Sequence, residues 1–256
     1  MELPLAGKKV LITREQHLAK SFSEKVNQLG GQAIEVPLLK ITCVNSAENE
    51  DIMKQLHTFN WIFFSSVNGV ECFFRFVTEQ MEELKNVRFA AVGSKTAEAL
   101  EQFGHRADFV PSVFDGRTLV KEFLALDNEI GHVLLIQGNR SRKEISDGLT
   151  EAVIPYQKLV VYETKDNDKN RTTLNEVLRT TKLDFITFTS PSSVEAFNRM
   201  KTGNINVSHD TTFVCIGRTT EDQAKELGFT NTIIPQDYTV DGMVTIMCQI
   251  TNGERN

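Results

Sequence analysis

Six stretches of this chain put a hydroxyl-bearing residue or a glycine just after a predicted strand: Thr13-Arg14, Ser65-Ser66, Gly93-Ser94, Gly138-Asn139, Ser190-Pro191-Ser192 and Gly217-Arg218-Thr219-Thr220. A turn of that kind between a strand and a helix aims backbone N–H groups outward at the helix start, where negative charge is favoured, and the short side chains add donors. The chemistry on offer is capture of carboxylates or phosphates. Each Ser or Thr alone reads more simply as an N-cap; their number is what points to a site for a large polyanion. Arg142, in the run Gly138-Asn139-Arg140-Ser141-Arg142-Lys143, can pair with an anionic ligand, the plainer reading of the run being a solvated basic helix face.

Other catalytic patterns are absent. The chain has no G-x-G-x-x-G, no Walker loop, no G-x-S-x-G and no suggestive pair of carboxylates. Its five histidines, His17, His57, His105, His132 and His209, lack ligand spacing. Neither a metal nor a cofactor is expected.

The elements that must position these turns occur twice. Trp61-Ile62-Phe63-Phe64-Ser65-Ser66-Val67-Asn68-Gly69-Val70-Glu71-Cys72-Phe73 is echoed by Phe185 to Phe197, with Phe64, Ser66, Val70, Glu71 and Phe73 matching Phe188, Ser190, Val194, Glu195 and Phe197 at a constant offset of 124. The same offset relates Val10-Leu11-Ile12 to Leu134-Leu135-Ile136, Gly93 to Gly217, and Pro111 to Pro235, then slips by two at Asp115-Gly116 and Asp241-Gly242. A repeat sustained this far is a duplication of one structural unit.

Hydrophobic periodicity predicts strands near Lys8–Thr13, Gln32–Val36, Trp61–Ser65, Arg88–Val92, Asp108–Val110, His132–Gln137, Gln157–Glu163, Asp184–Thr189, Thr212–Ile216 and Thr232–Ile234. Helices are predicted between them, among others at Asn45–Phe59 and Arg140–Thr150. Alternation of this kind implies an α/β fold with mainly parallel sheets. Pro37 makes the segment after it a poor central strand, and the polar stretch from Lys165 to Asn170 is a second break. We expect one lobe from 1–37 plus 166–256, a central lobe from 43–158, and linker strands at 38–42 and 159–165, with a binding cleft between the lobes.

A net charge of −6 over 256 residues argues against a general nucleic-acid surface. No apolar run is long enough for a membrane span, and no signal-peptide pattern is present. The four cysteines, Cys43, Cys72, Cys215 and Cys248, have no C-x-x-C spacing and read as structural thiols of a reducing compartment, so a cytoplasmic location is expected, and separately a monomer.

Taken in order, Val10-Leu11-Ile12-Thr13-Arg14, Ile62 to Val70, Gly138-x-x-x-Arg142, Val161-Tyr162-Glu163-Thr164, Phe188-Thr189-Ser190-Pro191-Ser192 and Ile216-Gly217-Arg218-Thr219-Thr220 resemble the uroporphyrinogen-III synthase family over nearly the full chain. The resemblance implies two flavodoxin-like, parallel-sheet lobes joined by a two-stranded linker. It implies cyclisation of the linear tetrapyrrole hydroxymethylbilane to uroporphyrinogen III, with loss of water and inversion of the terminal ring, in haem biosynthesis. Departure of the terminal hydroxyl leaves an electrophilic azafulvene, and the enzyme selects the inverting closure by orientation.

Carried over residue by residue, Tyr162 is the candidate donor to the leaving hydroxyl, the alternative being a plain hinge-strand aromatic. Thr13, Arg14, Ser65, Ser66, Gly93, Ser94, Gly138, Asn139, Arg142, Ser190, Pro191, Ser192, Gly217, Thr219 and Thr220 would bind the eight substrate carboxylates. The chain departs from the commoner pattern where Ser65-Ser66-Val67 lacks the proline kept at Pro191, and where Arg140 stands in place of a small residue. A transient contact with hydroxymethylbilane synthase, which makes the unstable substrate, is the expected partnership. The rival reading is a non-catalytic two-lobed binding protein for an anionic metabolite.

Overall fold

The computed structural model describes residues 3–78, 80–126, 130–203 and 207–253, with the backbone alone at position 17. The chain divides into two compact units, Met1–Lys40 with Lys165–Asn256, and Ile41–Thr164. In the first, β1 (Lys9–Ile12), β2 (Gln32–Glu35), β8 (Phe185–Phe188), β9 (Thr212–Cys215) and β10 (Thr232–Ile233) form one sheet in the order β2-β1-β8-β9-β10. All four pairings are parallel. Numbered along the repeat, this is the 2-1-3-4-5 order of a flavodoxin-like sheet.

The second unit's sheet contains β3 (Leu39–Cys43), β4 (Trp61–Phe64), β5 (Arg88–Ala91), β6 (Val133–Gly138) and β7 (Tyr156–Asp166) in the order β3-β7-β6-β4-β5. An isolated parallel bridge from Ala90 to Phe109 extends it past β5. That bridge is all that forms where a strand is expected at Asp108–Val110. Under the 124-residue offset β6 corresponds to β1, β7 to β2, β4 to β8 and β5 to β9, so the two sheets share one order. Registers agree as well: Lys9 opposite Gln32 becomes Val133 opposite Tyr156, and Phe185 opposite Thr212 becomes Trp61 opposite Arg88. Each unit therefore takes its first two repeat strands from one copy and the remainder from the other. The division between units falls inside β3 and β7.

Strand residues alternate between two faces, and both faces are covered. Leu11, Ile186, Phe188 and Phe213 enter one cluster while Val10, Ile12, Phe185 and Val214 enter another. In the second unit Ile62 and Phe64 separate in the same way from Trp61 and Phe63. Phenylalanine fills much of this volume, as in Phe188, Phe197, Phe213 and Phe229, whose ring centroids lie 4.8–6.4 Å apart.

Ten α-helices are formed among the described residues: α1 (Gln16–Gln28), α2 (Ala47–Met53), α3 (Val67–Phe76), α4 (Ser94–Gln102), α5 (Gly116–Phe123), α6 (Glu144–Glu151), α7 (Arg171–Thr180), α8 (Pro191–Met200), α9 (Arg218–Glu226) and α10 (Val240–Thr251). Two are shorter than the apolar spacing suggests. α2 ends at Met53, and a 3-10 turn covers Leu56–Thr58. α6 starts only at Glu144, because the Gly138 N–H donates to Ser141 Oγ and closes a turn where helix is expected. The two-residue slip of the repeat is also corrected. α5 is capped by Asp115 and α10 by Thr239, so the offset of 124 continues through both caps. The Asp-Gly pairs match in sequence without sharing a structural role.

The cysteines differ from expectation. Cys43, at the end of β3, and Cys72, on α3, form a disulfide with Cα atoms 5.3 Å apart, while Cys215 is free and buried and Cys248 is free. Their sequence separation of 29 carries no motif. Only the approach of β3 to α3 brings them into bonding range.

Candidate functional site

In a parallel sheet every strand ends on the same edge, and ligands of open α/β sheets bind beyond that carboxyl edge. In the first unit Thr13 and Arg14 follow β1, Ser190 to Ser192 follow β8, and Gly217 to Thr220 follow β9, three adjacent strands. Ser190 caps α8 through a capping box, its hydroxyl accepting from the Ser193 N–H while the Ser193 hydroxyl accepts from the Ser190 N–H. Pro191 fits the first helical position, where no N–H is needed. Gly217 caps α9 with no side-chain hydrogen bond, so the first-turn N–H groups of that helix have no side-chain acceptor.

Side chains in this group divide. Thr13 is buried and its Oγ1 donates to the Thr187 carbonyl at 2.6 Å, and Thr220 is buried too. The Thr13 hydroxyl thereby ties its turn to β8. Ser190 and Ser192 share a hydroxyl contact at 3.2 Å and are partly exposed, and Thr219 is exposed. Arg14 is partly buried, and its Nε is enclosed with no hydrogen-bond partner. Burial pushes its guanidinium below the ordinary arginine range, with Glu15 working in the opposite direction.

In the second unit Ser65 and Ser66 follow β4, Gly93 and Ser94 follow β5, Gly138 and Asn139 close β6, and Tyr162 lies on β7. The residues of β4, β6 and β7 come together closely. The Tyr162 and Ser66 hydroxyls are 3.0 Å apart, and Ser66 Oγ also accepts from the Gly69 N–H as the N-cap of α3. Ser65 Oγ donates to the Ile136 carbonyl in β6 at 3.3 Å. The Tyr162 ring lies against Gly138, where an added Cβ would overlap the ring and come within 2.8 Å of its hydroxyl oxygen. A register shift between Gln137 and Gly138 sets up that approach, because it carries Gly138 opposite Tyr162. Asn139 completes the turn: its N–H donates to the Tyr162 carbonyl and its Oδ1 accepts from the Thr164 N–H.

Gly93, like Gly217, caps its helix without a side-chain hydrogen bond, and Ser94 is exposed. Arg142 stands apart as an exposed side chain whose guanidinium is 3.8 Å from Glu144. Two kinds of residue in these turns escape sequence reasoning. Ser141 pins Gly138, and Phe114 and Tyr238 lie over Gly93 and Gly217. Only the repeat offset between Phe114 and Tyr238 was available as a signal.

Among the described residues no group of three or more His, Cys, Asp or Glu side chains could hold a metal ion. None of the described helices is long and apolar enough to cross a membrane.

Comparison with known proteins bears on the family and the fold. A family model described as "Uroporphyrinogen-III synthase HemD" matches residues 20–245. The porphyrin biosynthesis protein HemD of Ruminiclostridium josui is 29% identical over 260 residues, 99% of this chain and 50% of that protein, so the chain spans half the length of this relative. The uroporphyrinogen-III synthase of Chlorobaculum parvum is 29% identical over 236 residues, covering 90% of this chain and 94% of its own. Among solved structures, uroporphyrinogen-III synthetase of Helicobacter pylori superposes with a TM-score of 0.71 at 18% identity, over 95% of this chain and 99% of that one. A mutant uroporphyrinogen III synthase of Thermus thermophilus gives 0.68 at 16% identity, over 97% of this chain and 100% of that one. At such identities the structures speak for the fold, and the two-sheet parallel architecture is theirs. With its sequence matched by the family model from residue 20 to residue 245, the chain belongs to the uroporphyrinogen-III synthase family.

Proposed function

We infer that this chain cyclises hydroxymethylbilane to uroporphyrinogen III, with the turns described above holding substrate carboxylates and Tyr162 assisting departure of the hydroxyl. The observation that carries this reading is the Tyr162 hydroxyl held 3.0 Å from Ser66 at the start of α3, with its ring across Gly138. Ser66 Oγ already accepts the Gly69 N–H, so its own proton can go to Tyr162 Oη and free the phenolic proton for a substrate oxygen. The bilane then loses its terminal hydroxyl with that proton as water. The electrophilic carbon left behind bonds to the already substituted carbon of the last ring, and the old bridge bond to that carbon breaks. The bridge carbon so released rebonds at the ring's unsubstituted position, which inverts the ring; the proton displaced from that position returns to the phenolate or to solvent. General-acid assistance of this kind contributes about 10²–10⁴ in rate. Orientation must supply the choice between inverting and direct closure.

The starts of α4 and α9 at Gly93 and Gly217, where no side chain bonds the first-turn N–H groups, together with Arg14, are the receptors for carboxylate side chains in this reading. An enclosed guanidinium Nε without a partner costs free energy unless an anion reaches it. The same reading has the protein act as a cytoplasmic monomer and take its unstable substrate through brief contact with hydroxymethylbilane synthase. The test couples the full chain to freshly generated hydroxymethylbilane, oxidises the products and separates the uroporphyrin isomers. Predominant isomer III is expected. Isomer I alone, formed at the spontaneous rate, would refute the activity.

A further inference from the structure

Phe114 and Tyr238 are 59% and 56% exposed, values at odds with any packing role for rings of that size. Each is the middle residue of a three-residue turn, closed by Asp115 N–H to Val113 carbonyl at 2.8 Å in one case and by Thr239 N–H to Asp237 carbonyl at 2.7 Å in the other. Each turn leads straight into a capped helix, Asp115 capping α5 and Thr239 capping α10. The two residues stand at the repeat offset of 124, one in each unit. Around them the copies have diverged: Ser112 against Gln236, Val113 against Asp237, Asp115 against Thr239. Across these four positions the aromatic ring at Phe114 and Tyr238 and the capping role of Asp115 and Thr239 are kept.

Both rings lie over a glycine of a candidate substrate turn. A Cβ on Gly93 would meet Phe114 Cβ and Cγ at 3.1 Å, and one on Gly217 would meet Tyr238 Cδ2 at 2.9 Å. The glycines thus let an aromatic ring settle beside the turn while much of its surface stays open. A pyrrole is a flat aromatic ring, and the substrate's eight carboxylates are spread over four of them. A flat apolar surface beside a carboxylate receptor matches one such ring with its acidic arms.

We propose that Phe114 and Tyr238 are substrate-positioning residues, each receiving the face of one pyrrole ring of the tetrapyrrole. The proposal rests on the function inferred above and adds to it the groups that hold the rings, where the turns hold only the carboxylates. A stacked ring is held at a fixed tilt to the carboxylate receptor of its own unit, and orientation of that kind is what inverting closure requires.

The test uses the full chain and the variants Phe114→Ala, Tyr238→Ala, Tyr238→Phe and Phe114→Leu. Initial rates of isomer III formation are measured across a range of hydroxymethylbilane, and binding of anaerobically prepared uroporphyrinogen III is titrated in parallel. Each alanine variant should raise KM and weaken porphyrinogen binding about ten-fold, with kcat changed far less and melting temperature kept. Tyr238→Phe should behave as the parent, and Phe114→Leu should lose most of what alanine loses. Unchanged KM and unchanged binding in both alanine variants would overturn the proposal. A parent that forms no isomer III but binds porphyrinogen through these rings would refute the activity and keep the positioning role. A parent that binds no porphyrinogen would end both.

Discussion

Tyr162 and Ser66 meet hydroxyl to hydroxyl at 3.0 Å, and the serine oxygen that meets the phenol is the one that caps α3. A strand residue and a helix start 96 positions apart are thereby joined through one atom. Tyr162→Phe removes only the phenolic oxygen. Turnover should fall ten-fold or more, while stability falls by no more than about 1 kcal/mol for one lost hydrogen bond. Steady-state rates and a urea melt on the same preparation check both halves. Unaltered turnover would take Tyr162 out of the chemistry.

Arg14 offers a cleaner test of carboxylate binding. Its enclosed Nε has no partner, so removing the guanidinium should relieve a desolvated charge. Arg14→Met is expected to raise KM for hydroxymethylbilane at least ten-fold and to leave the melting temperature equal or higher. A fall in stability with unchanged KM would make Arg14 a structural residue.

The Cys43–Cys72 bond closes a loop with a sequence separation of 29. Chain-entropy reasoning gives such a crosslink about 3–4 kcal/mol at most, with native strain and residual unfolded structure reducing it. Thiol reductant, or the paired change Cys43→Ser with Cys72→Ser, should lower the denaturation midpoint of the second unit. Equal midpoints with and without reductant would show that the bond adds nothing to stability.

His105 stacks on Phe74 and lies 5.0 Å from it and from Phe89, centroid to centroid. Its burial lowers the imidazole pKa below 6.5. The unfolded chain then binds more protons than the folded one just below that value, so stability rises with pH through this window and is lost as pH falls. Melting temperatures between pH 5 and 7.5 should show the slope, and His105→Phe should flatten it. An identical slope in the variant would place its origin elsewhere.

Much of the fold is legible in the residues because both faces of each sheet are buried, and β-branched and aromatic runs bounded by glycine or serine mark the strands plainly. Ser66, Ser190, Gly93 and Gly217 are likewise readable, since a cap or a tight turn demands those residue types. Contacts made across the sheet leave no trace in local sequence. The disulfide depends on β3 reaching α3, the Tyr162 contact depends on a register shift beside Gly138, and the start of α6 depends on one serine hydroxyl. Even the apparent slip of the repeat at Asp-Gly came from matching letters where the helix caps match positions.

The exchange of strands between repeat copies bears on the order in which the chain can mature on the ribosome. β1 lies between β2 and β8, and Thr187 Oγ1 donates to the Leu11 carbonyl across 176 residues. Its partner on one side emerges at once, and its partner on the other only after the whole second unit has been made. The continuous segment Ile41–Thr164 can close its sheet during synthesis, whereas β1 and β2 must wait with an open apolar edge. Translation rate and chaperone access thus bear on the yield of the first unit far more than on that of the second.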